Sequence, residues 1–270
     1  MGYENYELLQ ISVEAGVATV VIDNPPINLF DMPLMQEMAL VGEELESDDA
    51  VRVVVFESAD PDFFIAHADV TLIQQLPTVQ TEKPETLSIF HQILERFRSM
   101  PKVTIGKIAG RARGGGSELL LALDMRFAAI GKAVLSQPEV AVGIIPGGGG
   151  CARLPRLVGR GRALEVILGC NDLEAELAER YGYINRALPA DELDAFVGEL
   201  AARIASFSPE AIALAKRAVD STEGLTTSEA LLEEDHCFNL SLATDGAKQG
   251  MQLFMDAGGQ TREVELEGFS

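Results

Sequence analysis

Hydrophobic and polar positions along the first half of the chain switch repeatedly between two periods. Val17–Ile22 (VATVVI) is a β-branched run, closed by Asp23-Asn24-Pro25-Pro26, which cannot continue a strand. Over Met32–Glu46 the residues Leu34, Met35, Met38, Val41 and Leu45 recur at helical spacing, and the segment runs into the acidic stretch 43–49. Val51–Phe56 (VRVVVF) is nearly continuous in apolar residues, the pattern of a strand buried on both faces. Ser88–Met100 reads as an amphipathic helix carrying Ile89, Phe90, Ile93, Leu94 and Phe97 on one side. Two further strands are predicted, Lys102–Ala109 and Met125–Ile130, separated by a glycine-rich turn and an apolar helical stretch, Glu118–Leu123. This alternation predicts parallel βαβ units and an α/β fold.

Strand patterns stop near residue 190. Asp191–Ala205 places Leu193, Phe196, Val197, Leu200 and Ile204 on one helical face. Ser208-Pro209-Glu210 opens another helix with a hydroxyl cap, a proline in the first turn and a dipole-matched acid. Thr227–Leu240 reads as a third. We therefore expect a core over residues 1–195 and a helical assembly region over 196–270.

Composition narrows the function classes. At 270 residues the chain can bury a full core without disulfide or metal staples. Its 42 acidic against 21 basic side chains give a net charge of −21, which repels phosphate backbones and anionic lipids. Nucleic acid and membrane are thus not expected as partners. The first residues lack a basic segment followed by an apolar one, and no run approaches a membrane span. Cys151, Cys170 and Cys237 lack paired spacing and read as small fillers, and His67, His91 and His236 share no ligand spacing. The expectation is a cytoplasmic protein without a metal site.

Three segments carry candidate chemistry. Gly110-Arg111-Ala112-Arg113-Gly114-Gly115-Gly116-Ser117-Glu118 follows a strand and precedes a helix, so its glycine N–H groups face an anion or a developing oxyanion. It is neither a P-loop nor GxGxxG. Ser136-Gln137-Pro138-Glu139 is followed by Gly143-Ile144-Ile145-Pro146 and Gly147–Gly150. Glu118 and Glu139 are too far apart in sequence for one helix face, yet paired carboxylates are the usual means of acid–base work on water. Asp62–Asp69 ends in a small-residue loop, a second source of backbone N–H donors.

Together these segments resemble the crotonase (enoyl-CoA hydratase/isomerase) family over nearly the whole chain. Ala66-His67-Ala68-Asp69 is similar to the family's A-G-A-D, and Gly110 through Glu118 matches G-x-A-x-G-G-G-x-E. Gln137 through Gly150 matches Q-P-E-x-x-x-G-x-x-P-G-x-G-G. Gly182-Tyr183-Ile184-Asn185-Arg186 and Pro189-Ala190-Asp191-Glu192-Leu193 resemble G-L-V-N-x-V-x-P-x-x-E-L. The resemblance implies a crotonase-type ββα spiral core with a C-terminal helical assembly region. It implies an oxyanion hole from the N–H groups of Ala68 and Gly115, and catalysis by Glu118 and Glu139. Ala66, His67, Asp69, Val70, Gly114 and Gly116 would contact the substrate or its CoA, and Leu72, Leu76 and Phe90 the acyl chain. The implied activity is an enoyl-CoA hydratase of fatty acid metabolism, a homotrimer or homohexamer whose coenzyme A thioester is the substrate and which needs no further cofactor. Isomerase, decarboxylase or hydrolase chemistry, or a non-catalytic acyl-CoA-binding subunit, are the alternatives. A serine hydrolase built on Ser117 has no histidine partner in motif.

Three positions depart from the family pattern. His67 replaces a glycine, and Arg113 stands where an apolar residue is usual, either for a phosphate or carboxylate of the substrate or for an internal salt bridge. The tail Phe254-Met255-Asp256-Ala257 lacks the basic pair of Phe-x-x-Lys-Arg, which leaves Lys107, Arg111 and Lys248 as candidate cations for CoA phosphates.

Overall fold

The computed structural model describes residues 3–79 and 82–267. β1 (Leu9–Glu14) and β2 (Val17–Ile22) form an antiparallel hairpin, followed by α1 (Met32–Ser47). Three similar passes come next. The first runs β3 (Val53–Ser58), β4 (Phe63–Ile65) and α2 (Val70–Gln74), and α3 (Ile89–Ser99) leads out of it. The second runs β5 (Val103–Ile108), β6 (Arg111–Arg113) and α4 (Gly115–Ala122). The third runs β7 (Met125–Ala129), β8 (Val134–Ser136), a 3-10 turn over Glu139–Val142 and α5 (Gly150–Val158). α6 (Arg160–Gly169), β9 (Leu173–Glu174), α7 (Ala175–Tyr181), β10 (Arg186–Leu188) and α8 (Leu193–Ala205) complete this part.

Each pass places its long strand in one sheet and its short strand in another. The larger sheet has the order β1-β2-β3-β5-β7-β10, parallel from β2 onward. The smaller has the order β4-β6-β8-β9, with only β9 antiparallel. This is the expected ββα spiral. Val53 to Phe56 are all buried, as a strand covered on both faces requires, and Phe56 meets Phe97 of α3 edge-on at 4.9 Å. Helix starts follow local chemistry: Asp31 accepts from the Leu34 N–H ahead of α1, and Ser88 from the His91 N–H ahead of α3.

Two compact units make up the chain, dividing after Arg203. The second is helical: α9 (Pro209–Asp220), α10 (Thr227–Leu242), α11 (Asp245–Asp256) and α12 (Arg262–Glu267). Ser208 caps α9 as its sequence predicts, Thr226 and Glu229 form a reciprocal capping box on α10, and Arg217 pairs with Glu233 across the two helices. No helix among the described residues is long and apolar enough to cross a membrane. One expectation fails: Cys237 is a buried filler and Cys170 a half-buried one, but Cys151 is exposed.

Candidate active site

The three sequence segments converge because each follows a strand of the smaller sheet. β4, β6 and β8 are parallel neighbours, with Ile65 paired to Ala112, Ala112 to Leu135 and Arg113 to Ser136. Their carboxyl ends therefore deliver 66–69, 114–118 and 137–139 to one edge, where parallel α/β sheets place ligands. The helix expected from Glu118 begins earlier, at Gly115, so the second and third glycines form its first turn.

Ala68 and Gly115 approach each other closely. A Cβ added to Gly115 would lie 3.1 Å from Ala68 Cβ and 3.2 Å from Ala68 N. The Ala68 loop is fixed by two bonds to one residue: Phe30 N–H donates to His67 O at 2.9 Å, and Asp69 N–H donates to Phe30 O at 3.2 Å. Neither the Ala68 nor the Gly115 N–H donates to a protein group among the described residues. Gly115 opens α4, so the helix dipole adds to its donor strength. Two free, adjacent N–H groups suit an oxygen that gains negative charge.

Glu118, the fourth residue of α4, is 3% exposed. Its Oε1 accepts from Gly148 N–H at 2.7 Å and from Gly150 N–H at 2.9 Å. Burial pushes its carboxyl up; those two bonds, with His91 and Arg153 nearby, pull it back without cancelling the rise. The glycine run after Pro146 is thus the cradle of this carboxylate. A Cβ on Gly148 would lie 2.5 Å from Glu118 Oε2 and also run into the Phe90 ring. Glu139 begins the 3-10 turn. Its Oε1 would sit 2.8 Å from a Cβ on Gly114, whose own carbonyl accepts from Glu118 N–H at 2.8 Å. Glu139 Oε2 is buried with no hydrogen-bond partner. Burial, reinforced by the charge of Glu118, raises the Glu139 carboxyl to about 7. The fold therefore sets one carboxylate in an N–H cradle beside one carboxyl that keeps its proton into the neutral range.

The remaining predicted residues frame this centre. Ala66 is buried, with its N–H on Ile27 O. His67, half-buried, turns its Nδ1 back onto Ala68 O at 2.8 Å, which fixes the loop. Asp69 caps α2 through Thr71 N–H, and Val70 is exposed at the start of that helix. Gly116 packs on the Ile65 carbonyl, where a Cβ would come within 2.5 Å. Phe90 stacks edge-on against Phe30, Leu72 is half-buried and Leu76 is exposed. Arg113 makes an internal salt bridge, both its Nε and Nη2 reaching Asp172. Lys107 pairs with Glu57 and Asp194, Arg111 lies over Phe63 near Asp62, and Lys248 pairs with Asp245. Ser117 hydrogen-bonds Tyr183 rather than a histidine. Tyr183 and Arg126, both buried behind α4, were not singled out from sequence, because their partners lie far away along the chain.

A model of the enoyl-CoA hydratase/isomerase family matches residues 12–261. The short-chain-enoyl-CoA hydratase of Clostridium acetobutylicum is 32% identical over 257 residues, 95% of either chain. A solved structure from Streptomyces avermitilis, provisionally named an enoyl-CoA hydratase, is 43% identical with a TM-score of 0.74, covering 95% of this chain and 93% of its own. The enoyl-CoA hydratase of Bacillus anthracis is 28% identical with a TM-score of 0.84, covering 93% of this chain and 97% of its own.

Proposed function

The chain belongs to the enoyl-CoA hydratase/isomerase family, and from that membership we propose that it adds water across the double bond of a short 2-enoyl-CoA thioester. The observation that carries this reading is the pair of buried carboxyls, Glu118 and Glu139, set beside two free N–H groups. The thioester oxygen accepts from Ala68 and Gly115 N–H, so that the charge growing on it as water attacks meets fixed donors rather than solvent. A single such donor is worth about 10²–10³ in rate. Glu118, as the carboxylate, takes a proton from water while the water oxygen bonds to C3. Glu139, as the acid, gives its proton to C2. The addition consumes one water, and passing the proton from Glu118 back to Glu139 restores the starting state.

Short-chain preference rests on the named Clostridium relative. A place in fatty acid metabolism, a cytoplasmic location and independence from any metal or redox cofactor belong to the same proposal, because the proton chemistry is complete with two carboxyls and two amides. Assembly as a homotrimer or homohexamer is supported by the second unit, which exposes Leu231, Leu232, Phe238, Leu253 and Met255, large apolar side chains that a neighbouring copy would cover. Light scattering should give three or six times the chain mass.

Mixing the protein with crotonyl-CoA and following the conjugated thioester absorbance tests the activity. Steady loss of that absorbance, with a 3-hydroxyacyl product, is expected. No loss with 2-enoyl-CoA of any chain length overturns the hydratase reading, and a different product moves the chemistry to isomerisation, decarboxylation or hydrolysis.

A further inference from the structure

We propose that Tyr183 is a positioning residue whose hydroxyl pins the helix bearing Glu118 to the strand end bearing Glu139. This rests on reading those glutamates as the acid–base pair. Tyr183 lies between α7 and β10, outside all three segments that build the site, and is fully buried. Its hydroxyl lies 2.5 Å from Ser117 Oγ and accepts from Gln137 Nε2 at 3.3 Å. Ser117 immediately precedes Glu118, and Gln137 stands two residues before Glu139. One oxygen thus joins the two peptide segments whose carboxyls have to hold a single water. The bond to Tyr183 is the only side-chain bond of Gln137 among the described residues, and its amide Oε1 is buried without a partner.

The main chain of Tyr183 is anchored as well. Its N–H donates to Ala178 O at 2.8 Å, and its carbonyl accepts from Arg126 Nε at 2.9 Å. The same guanidinium donates to the carbonyls of Leu120 and Leu123 at the far end of α4. Tyr183 therefore holds α4 near its start through the hydroxyl and at its end through Arg126. Rotating α4 about its axis would draw Glu118 from the Gly148 and Gly150 N–H groups and turn the Gly115 N–H away from Ala68. Burial, partly offset by the Ser117 and Gln137 bonds, pushes the Tyr183 phenol up to about 12, so it keeps its proton and acts by geometry rather than by titration. The sequence resemblance places a leucine in this position, which has no hydroxyl to serve as a pin.

Two variants and two readouts test the pin: Tyr183→Phe, which keeps the ring and deletes the oxygen, and Ser117→Ala, which removes one of the two bonds. Crotonyl-CoA hydration gives kcat and KM, and amide hydrogen exchange at Gly148 and Gly150 reports the seat of Glu118 without substrate. Tyr183→Phe should lower kcat about tenfold with KM within about twofold, since two buried hydrogen bonds are lost and only the reacting geometry is disturbed. Exchange at both glycines should rise about fivefold while the β1–β2 hairpin keeps its wild-type rates. Ser117→Ala should show both effects at smaller size, and it decides the matter if the tyrosine variant does not fold. Either kcat or glycine exchange staying at the wild-type value, even with a lowered Tm, makes Tyr183 a packing residue and overturns the proposal. A wild-type protein that hydrates no 2-enoyl-CoA overturns the proposed activity instead, and the exchange rates still decide the pin.

Discussion

The two glutamates are chemically alike and are separated by their surroundings. Glu118 has two N–H donors on one oxygen, while Glu139 has a buried oxygen with none and a like charge beside it. Those differences support carboxylate for the first and acid for the second in the proposed addition, the divergence expected of acid–base partners. The sign of the pH dependence follows. In the proposed addition Glu139 works protonated, and its carboxyl is raised to about 7, so kcat/KM should fall as pH rises through the neutral range, and the acid side of the profile should report ionisation of Glu118. A profile still climbing above about pH 8 would remove Glu139 from the acid role. Glu118→Gln and Glu139→Gln should each lower kcat by about 10²–10⁴, and two active variants would refute the pairing. Gly148→Ala should come close to Glu118→Gln in effect, because the added methyl would meet Glu118 Oε2 at 2.5 Å. At this scale the sequence singled out both acids and both amides through the motifs it shares with the family, since that motif spacing is local. It left Arg113 open between substrate and salt bridge until Asp172, 59 positions away, was seen beside it. Tyr183 stands in the sequence only as a tyrosine in place of the leucine of G-L-V-N, and its bonds did not show because its partners lie 66 and 46 positions away.

Long elements were legible because their apolar repeats are long. β2 is found where its pattern ends at Asp23, and α3 occupies Ile89–Ser99 of the predicted Ser88–Met100 helix, whose first residue turns out to be its cap. The smaller sheet was not legible. β4, β6 and β8 have three residues each, too short for any period to show, and 62–69 reads from sequence as a plain loop. Yet these strands bring Glu118 and Glu139 together, so the elements hardest to read carry the site. α4 shows the complementary cost. It is buried along its whole length, and its last carbonyls cannot reach water. Arg126 serves them, donating to Leu120 O at 3.0 Å and Leu123 O at 2.7 Å, with a third bond to Tyr183 O. Arg126→Met keeps most of the stem and strands the carbonyls of Leu123 and Tyr183, while Leu120 O keeps its bond from the Leu123 N–H at 3.2 Å. The substitution should destabilise the fold by about 3 kcal/mol or more, read as a lower urea midpoint with an unchanged slope. A loss below about 1 kcal/mol would mean that water reaches this helix end after all.

Across the whole molecule, the charge of −21 conflicts with an anionic thioester carrier. The proposed oxyanion site escapes the conflict because it would recognise its oxygen with neutral N–H groups at contact distance, helped by the helix dipole. Of the cations considered for the CoA phosphates, Arg113 and Lys107 are already engaged by Asp172, Glu57 and Asp194, and Lys248 by Asp245, while Arg111 reaches Asp62 only at 4.0 Å. A substrate approaching this enzyme therefore moves against a long-range field whose reach is set by salt, about 30 Å at 10 mM and about 8 Å at 150 mM. Raising the ionic strength between those limits should lower KM for a 2-enoyl-CoA and leave kcat nearly constant, since the chemistry occurs inside the screened distance. A basic clamp on the phosphates would give the opposite trend, because salt weakens contacts between opposite charges. Initial rates across that salt range separate the two cases: KM rising with salt would mean that cations now paired with aspartate and glutamate let go of them to hold the carrier.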